Sequence, residues 1–124
     1  MKTWDDWSDF DISLAVAKFV AIDGLVESNG KSVHIPEYHK RICLGWKTFW
    51  VSNPADMWPI ILQNDISLIN DKGFYYATSN CYETFEPHGL GVADGYFYSK
   101  AKDKSELLRA AAIVFLMMNG VNQE

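Results

Sequence analysis

Ser105-Glu-Leu-Leu-Arg-Ala-Ala-Ala-Ile-Val-Phe-Leu-Met-Met-Asn-Gly120 is the most continuously apolar stretch of the chain, and its reading decides the fold. Its residues are strong helix formers. Asp103 stands where an N-cap belongs, with Glu106 three residues on to close a capping box. Gly120 occupies the position of a left-handed C′ residue. Leu107, Ala111, Val114, Phe115 and Met118 share one face, while Leu108, Ala112, Ile113 and Leu116 cover the flanks. A helix apolar nearly all round must be enclosed by other elements. Its run from Leu107 to Met118 falls short of the roughly 20 residues that span a bilayer. It reads as the core helix of a small soluble domain.

At 124 residues the chain has the size of one domain, 1–124, with one hydrophobic core. Working backward from the core helix, residues 8–23 predict a first helix. Ser8 caps it, Asp11 sits at N3, Asp9 and Asp11 meet the positive end of the dipole, and Gly24 stops it. Leu25 to Ser28 and Lys31 to Ile35 flank Asn29-Gly30, which predicts a hairpin with a type I′ turn, ended by Pro36. Residues 37–52 read equally as a strand pair or an irregular loop. Asn53-Pro-Ala-Asp56 opens a second helix, with Asn53 as cap, Pro54 at N1 and Asp56 completing the box; Pro59 predicts that it is short or broken by about Gln63. Ile66 to Ile69 and Phe74 to Thr78 form a further hairpin around Asn70–Gly73. Tyr82 to Phe85 and Tyr96 to Ser99 are the remaining strands, around an Asp94-Gly95 turn. The fold class is α+β: an antiparallel sheet packed against an N-terminal helix and a hydrophobic C-terminal helix.

Three pieces of the chain carry a resemblance. They are Trp7-Ser-Asp-Phe-Asp-Ile-Ser13, Asn53-Pro-Ala-Asp-Met-Trp-Pro-Ile-Ile61 with Ile66-Ser-Leu68 behind it, and Leu108-Arg-Ala-Ala-Ala-Ile-Val-Phe-Leu-Met-Met118. In that order and spacing the chain resembles the small phage and prophage proteins labelled NinX, a family of unknown function. The resemblance covers about a third of the residues, leaving 25–52 and 74–102 outside it. It implies a phage accessory protein made in the cytoplasm of the bacterial host, and it carries over no catalytic residue.

The residues themselves exclude several functions. A net charge of −5 opposes general nucleic-acid binding. The N-terminus is acidic and lacks the apolar core of a secretory signal, so a cytoplasmic location is expected, with Cys43 and Cys81 as free thiols; one disulfide between them in an exported protein is the alternative. Gly24 to Ser32 ends like a phosphate-binding loop, but five residues separate its glycines where four are required. Gly89, Gly91 and Gly95 miss the dinucleotide spacing. His34, His39, Cys43, Cys81 and His88 lack the paired spacing of zinc ligands. With neither a GxSxG elbow nor an HExxH, no catalytic residue, metal or cofactor is expected.

The aromatic and charge patterns are more informative. Five Trp, six Tyr and seven Phe exceed what so small a core requires. Residues 31–52 hold Lys31, Lys40, Arg41 and Lys47 against one acid, Glu37, among Tyr38, Trp46, Phe49 and Trp50. Cations among flat rings suit an anionic ligand with a base to stack, such as a nucleotide; the alternative is a solvated basic loop over two core tryptophans. Trp58, beside Asn53 and Asp56, could wall a pocket rimmed by an amide and a carboxylate, or fill the core while both polar groups cap the helix. Arg109, the only charge within the apolar run, would pair with Asp56 or Asp11, face a ligand phosphate, or reach water. The candidate ligand-binding set is therefore Trp46, Lys47, Trp50, Asn53, Asp56, Trp58 and Arg109.

Two functions are expected. The first is a non-enzymatic phage counter-defence protein that sequesters a small anionic, nucleotide-like ligand in an aromatic-lined pocket, which a homodimer could complete. The second is a protein-interaction module acting on a host protein through an aromatic and acidic surface; beyond these two, a small hydrolase would require carboxylates or histidines to converge in a cleft. A concave site around the tryptophans favours the first; a flat exposed patch favours the second.

Overall fold

The computed structural model of the chain describes residues 3–79 and 97–123. The predicted core helix forms α3, Leu107–Met118, one of three α-helices among those residues. Ala110 to Leu116 are seven consecutive buried residues. At 3.6 residues per turn such a run covers every azimuth of the helix. The covering elements are strands β4 (Ile66–Asp71), β5 (Phe74–Ser79) and β6 (Tyr98–Ala101), together with α1 (Asp9–Val20) and α2 (Pro54–Gln63). One cluster of buried side chains joins all of these to the base of the other sheet.

The ends of α3 are held by different devices. At the C-terminus Gly120, at φ +81°, donates to the Met117 carbonyl at 3.1 Å, and Val121 donates to that of Leu116 at 3.0 Å. This pair of bonds is a Schellman motif, as the glycine predicts. At the N-terminus the expected capping box is absent. Asp103 instead accepts from the Ser105 amide at 2.9 Å and from its hydroxyl, starting a 3-10 turn at Lys104–Glu106 that runs into α3. The Glu106 side chain makes no cap bond.

Helix α1 has the predicted box: Ser8 and Asp11 exchange backbone-to-side-chain bonds of 3.0 Å each. It ends at Val20, earlier than expected, because Ala21 is already extended; Gly24 instead closes a 3-10 turn at Ile22–Gly24. Helix α2 continues unbroken through Pro59. Asn53 caps it, accepting from Ala55 at 3.1 Å, but the Asp56 carboxylate turns back to the Trp50 amide at 3.0 Å. There is thus no capping box at this helix, because the preceding turn has taken its acid.

Among the described residues the expected sheet is divided into two antiparallel three-stranded sheets, ordered β1-β2-β3 and β4-β5-β6. In the second, Lys72 and Gly73 make a two-residue turn with φ +52° and +83° between the paired Asp71 and Phe74. Strand β6 covers part of the predicted 96–99 segment; the segment 82–85 and the Asp94-Gly95 turn lie outside the described residues. In the first sheet β1 is only Glu27–Ser28, paired with Val33 and His34 of β2 (Val33–His39). Asn29-Gly30 is not a two-residue turn. The Asn29 side-chain oxygen accepts from the amides of both Lys31 (2.9 Å) and Ser32 (2.8 Å), so the loop spans 29–32.

Pro36 does not end β2; it is buried within it, opposite Trp46. Strand β1 pairs no further than His34, so among the described residues one side of β2 is an open edge beyond that point. A strand with an open edge tolerates the missing donor. The segment left open between strand pair and loop is a strand pair: β2 runs on into β3, Ile42–Phe49. None of the helices is long and apolar enough to cross a membrane among the described residues.

Candidate functional site

The base of the β2–β3 hairpin belongs to the core. Val33, Ile35 and Phe49 share one face by register, all three are buried, and α1 packs on β2. Toward the turn the burial ends. From Glu37 to Thr48 every residue but Gly45 is exposed, and the open side chains include Tyr38 (38%), Ile42 (64%), Leu44 (61%) and Trp46 (48%). Cross-strand partners point to the same side of a sheet. Tyr38, Cys43 and Trp46 therefore lie on one face and His39, Ile42 and Lys47 on the other. Both faces of the distal ribbon meet solvent.

Two backbone features shape this ribbon. Between the pairs Glu37↔Gly45 and Tyr38↔Cys43 the register shifts and leaves Leu44 as an extra residue, a β-bulge beside Gly45 at φ +119°. At the tip, His39 pairs with Ile42 across a two-residue turn in which Lys40 has φ +49° and Arg41 φ +70°. Both residues are left-handed, a conformation that costs a residue with a side chain about 1–2 kcal/mol and that Asn and Gly adopt far more readily. The chain thus maintains strain at a point where it displays two adjacent cations. Such an outlier is a pointer to function.

The seven candidate residues fall into four places. Trp46 and Lys47 are neighbours on the ribbon, projecting from opposite faces. Trp50, Asn53 and Asp56 form one compact turn, in which Asn53 also donates to the Trp50 carbonyl at 3.0 Å. The turn is pinned to α1 by a buried bond of 3.1 Å from the Val51 amide to the Ser13 hydroxyl. The amide and carboxylate expected on a pocket rim are thereby engaged with local backbone. Trp58 does not fill the core. It lies on the outer side of α2, 51% exposed with Leu62 one turn on, while Met57, Ile60 and Ile61 face inward.

Arg109 is a structural clamp. Its guanidinium binds Asp9 at 2.8 Å and the carbonyls of Trp4 and Trp7 at 2.8 and 2.6 Å, tying α3 to the N-terminal turn. The partner is Asp9, not Asp56 or Asp11, because those carboxylates serve Trp50 and the Ser8 capping box.

An open concavity of about 610 Å³ lies elsewhere, lined by Trp4, Phe97, Met117 and the tail at 120–123; none of the seven candidates borders it. Gln123 holds this corner, accepting from the Trp4 amide at 3.2 Å through its side chain and from the Trp7 indole at 2.9 Å through its carbonyl. Among the described residues no three His, Cys, Asp or Glu side chains gather to hold a metal ion. His34 and His39 lie on opposite faces of β2, and Cys81, His88, Gly89 and Gly91 lie outside the described residues.

Sequence reading missed Ile42 and Leu44. Their signal is a run in which apolar and polar residues cease to alternate in step with one buried face, next to a pair of cations. Comparison of the chain with protein-family models, with curated proteins and with solved structures found no match.

Proposed function

We propose that this chain is a non-enzymatic interaction module that docks a partner protein through the distal β2–β3 hairpin. The observation that carries the reading is the exposure of Tyr38, Ile42, Leu44 and Trp46 on a projecting ribbon whose strained tip displays Lys40 and Arg41. Aromatic and large aliphatic side chains left in water are what an interface core uses, and cations at the margin steer an acidic partner. In the setting that the NinX resemblance implies, the chain is a phage accessory protein in the host cytoplasm, and the partner is a host protein whose activity it blocks or redirects.

The Leu44→Asp/Trp46→Asp double variant tests this. Immobilised wild-type chain should enrich a discrete host protein, and the variant, folded to the same melting temperature, should lose it. Equal capture by both would overturn the reading.

A second reading, sequestration of a small nucleotide-like anion, draws on one observation: the Trp46 ring stands open as a stacking surface on a ribbon whose tip carries Lys40 and Arg41. A thermal-shift screen against nucleotides and cyclic nucleotides tests it. A ligand at about 100 times its dissociation constant should stabilise the fold by roughly 2.7 kcal/mol; a flat response removes it.

A further inference from the structure

We infer that the outer edge of β3 accepts an extended, acidic segment of the partner protein, which adds to the β1-β2-β3 sheet as a fourth strand. This rests on the hairpin being the docking surface, and it specifies how the partner is held. In the order β1-β2-β3 the outer edge of β3 has no strand beside it among the described residues. Every second residue of such an edge turns its N–H and C=O outward. The bulge at Leu44 interrupts the edge, leaving Gly45 to Phe49 as a regular run in register with β2. At about 3.4 Å per residue that is roughly 17 Å, the length of an ordinary strand. An edge of this kind is usually blunted by charge; this run carries Lys47 alone, with Trp46 open beside it.

Charge decides the occupant. Residues 31–52 hold four cations and one carboxylate in a chain of net −5. A second copy paired antiparallel along Gly45–Phe49 would centre on Lys47 and set that lysine against its own duplicate, so like charge disfavours this self-pairing. An acidic strand meets Lys47 on the edge itself, with Lys40 and Arg41 at the tip beyond the bulge to steer it. Nucleic acid would satisfy the cations, but it has no amide ladder to pair with the edge and is repelled by the rest of the surface. Because side chains alternate, residues of the added strand on the Lys47 face should be acidic and those on the Trp46 face apolar.

The test is to pan a random octapeptide display library on the wild-type protein and to synthesise a selected peptide in three forms: unmodified, and N-methylated on alternate residues along one edge or the other. The selected sequences should alternate Asp or Glu with apolar residues. Methylation along the edge facing β3 should weaken binding about tenfold or more, the worth of one or two lost backbone hydrogen bonds. Methylation of the opposite edge should leave the dissociation constant nearly unchanged. Lys47→Glu should weaken the acidic peptide and favour a Lys-substituted one. Equal effects from the two methylated forms, a selection without acidic residues, or no selected peptide together with binding of oligothymidylate would each overturn strand addition. In the first two cases Trp46→Ala separates the claims: if it still abolishes peptide binding, the hairpin remains the docking surface while the strand-addition mode falls.

Discussion

Around α3, Ala110 to Leu116 are all buried, both ends are tied down, and the single charge is held by Asp9 and two carbonyls. In the distal β2–β3 hairpin, side chains just as apolar stand in water on both faces of a two-stranded ribbon, and the turn joining the strands is strained. The two regions teach that apolar content alone does not distinguish core from surface. In α3 the apolar positions are covered because strands and helices approach from all sides. In the hairpin they remain open because the ribbon outruns the body at Glu37. One region is where the fold is made, and the other is what the fold presents.

Substitutions should separate the two. The largest effect is expected at the enclosed helix. Leu116→Ala, at a side chain with no exposure, should cost about 3 kcal/mol through lost burial and the cavity left behind. Urea unfolding would read this as a lower midpoint with an unchanged slope. Next comes the clamp. Arg109→Met removes the partner of Asp9 and of two part-buried carbonyls, and a loss of about 2 kcal/mol is expected. A double-mutant cycle with Asp9→Asn should show coupling between the two positions. The sign reverses at the hairpin tip. Arg41→Gly, at φ +70°, should stabilise the fold by about 1 kcal/mol by releasing left-handed strain, while weakening capture of an acidic partner. Unchanged stability there would mean that the turn is not strained.

The smallest effect lies at the start of the last helix. The hydrogen bond from Ser105 holds the exposed Asp103 carboxyl below its ordinary value of 3.8. A lowered carboxylate contributes stability that is present above the unfolded value and lost as pH falls through the folded one. The melting-temperature difference between wild type and Asp103→Asn should therefore be present near neutral pH and shrink below pH 3.8.

What was legible in the sequence follows the same division. The enclosure of α3, its Schellman end and the Ser8 box depend on residues close in sequence, so composition and spacing reveal them. The hairpin depends on register, which is a property of two strands together. Asn29-Gly30 carries the turn signal, yet the Asn29 side chain captures two amides and opens a longer loop. Lys40-Arg41 carries no such signal and still makes the tight turn. The candidate residues divide likewise. Asn53 is recognisable as local helix-start chemistry, whereas Asp56, read as its partner in a capping box, turns back to the Trp50 amide. Whether Trp46 and Trp58 are buried is decided by what packs over them, which a single stretch of sequence does not contain. The partner of Arg109 was similarly hidden, since the choice among Asp9, Asp11 and Asp56 rests on which carboxylates other groups have already engaged.

The most direct measurement is the stability of a shortened chain in which residues 38–44 are replaced by Asn-Gly, joining the paired Glu37 and Gly45 through a favourable type I′ turn. If the distal hairpin is displayed by the fold and not part of it, urea unfolding should remain cooperative, with stability within about 1 kcal/mol of wild type, and capture of the partner should be lost. A chain that unfolds on this replacement would place the hairpin in the core and contradict the division between the two regions.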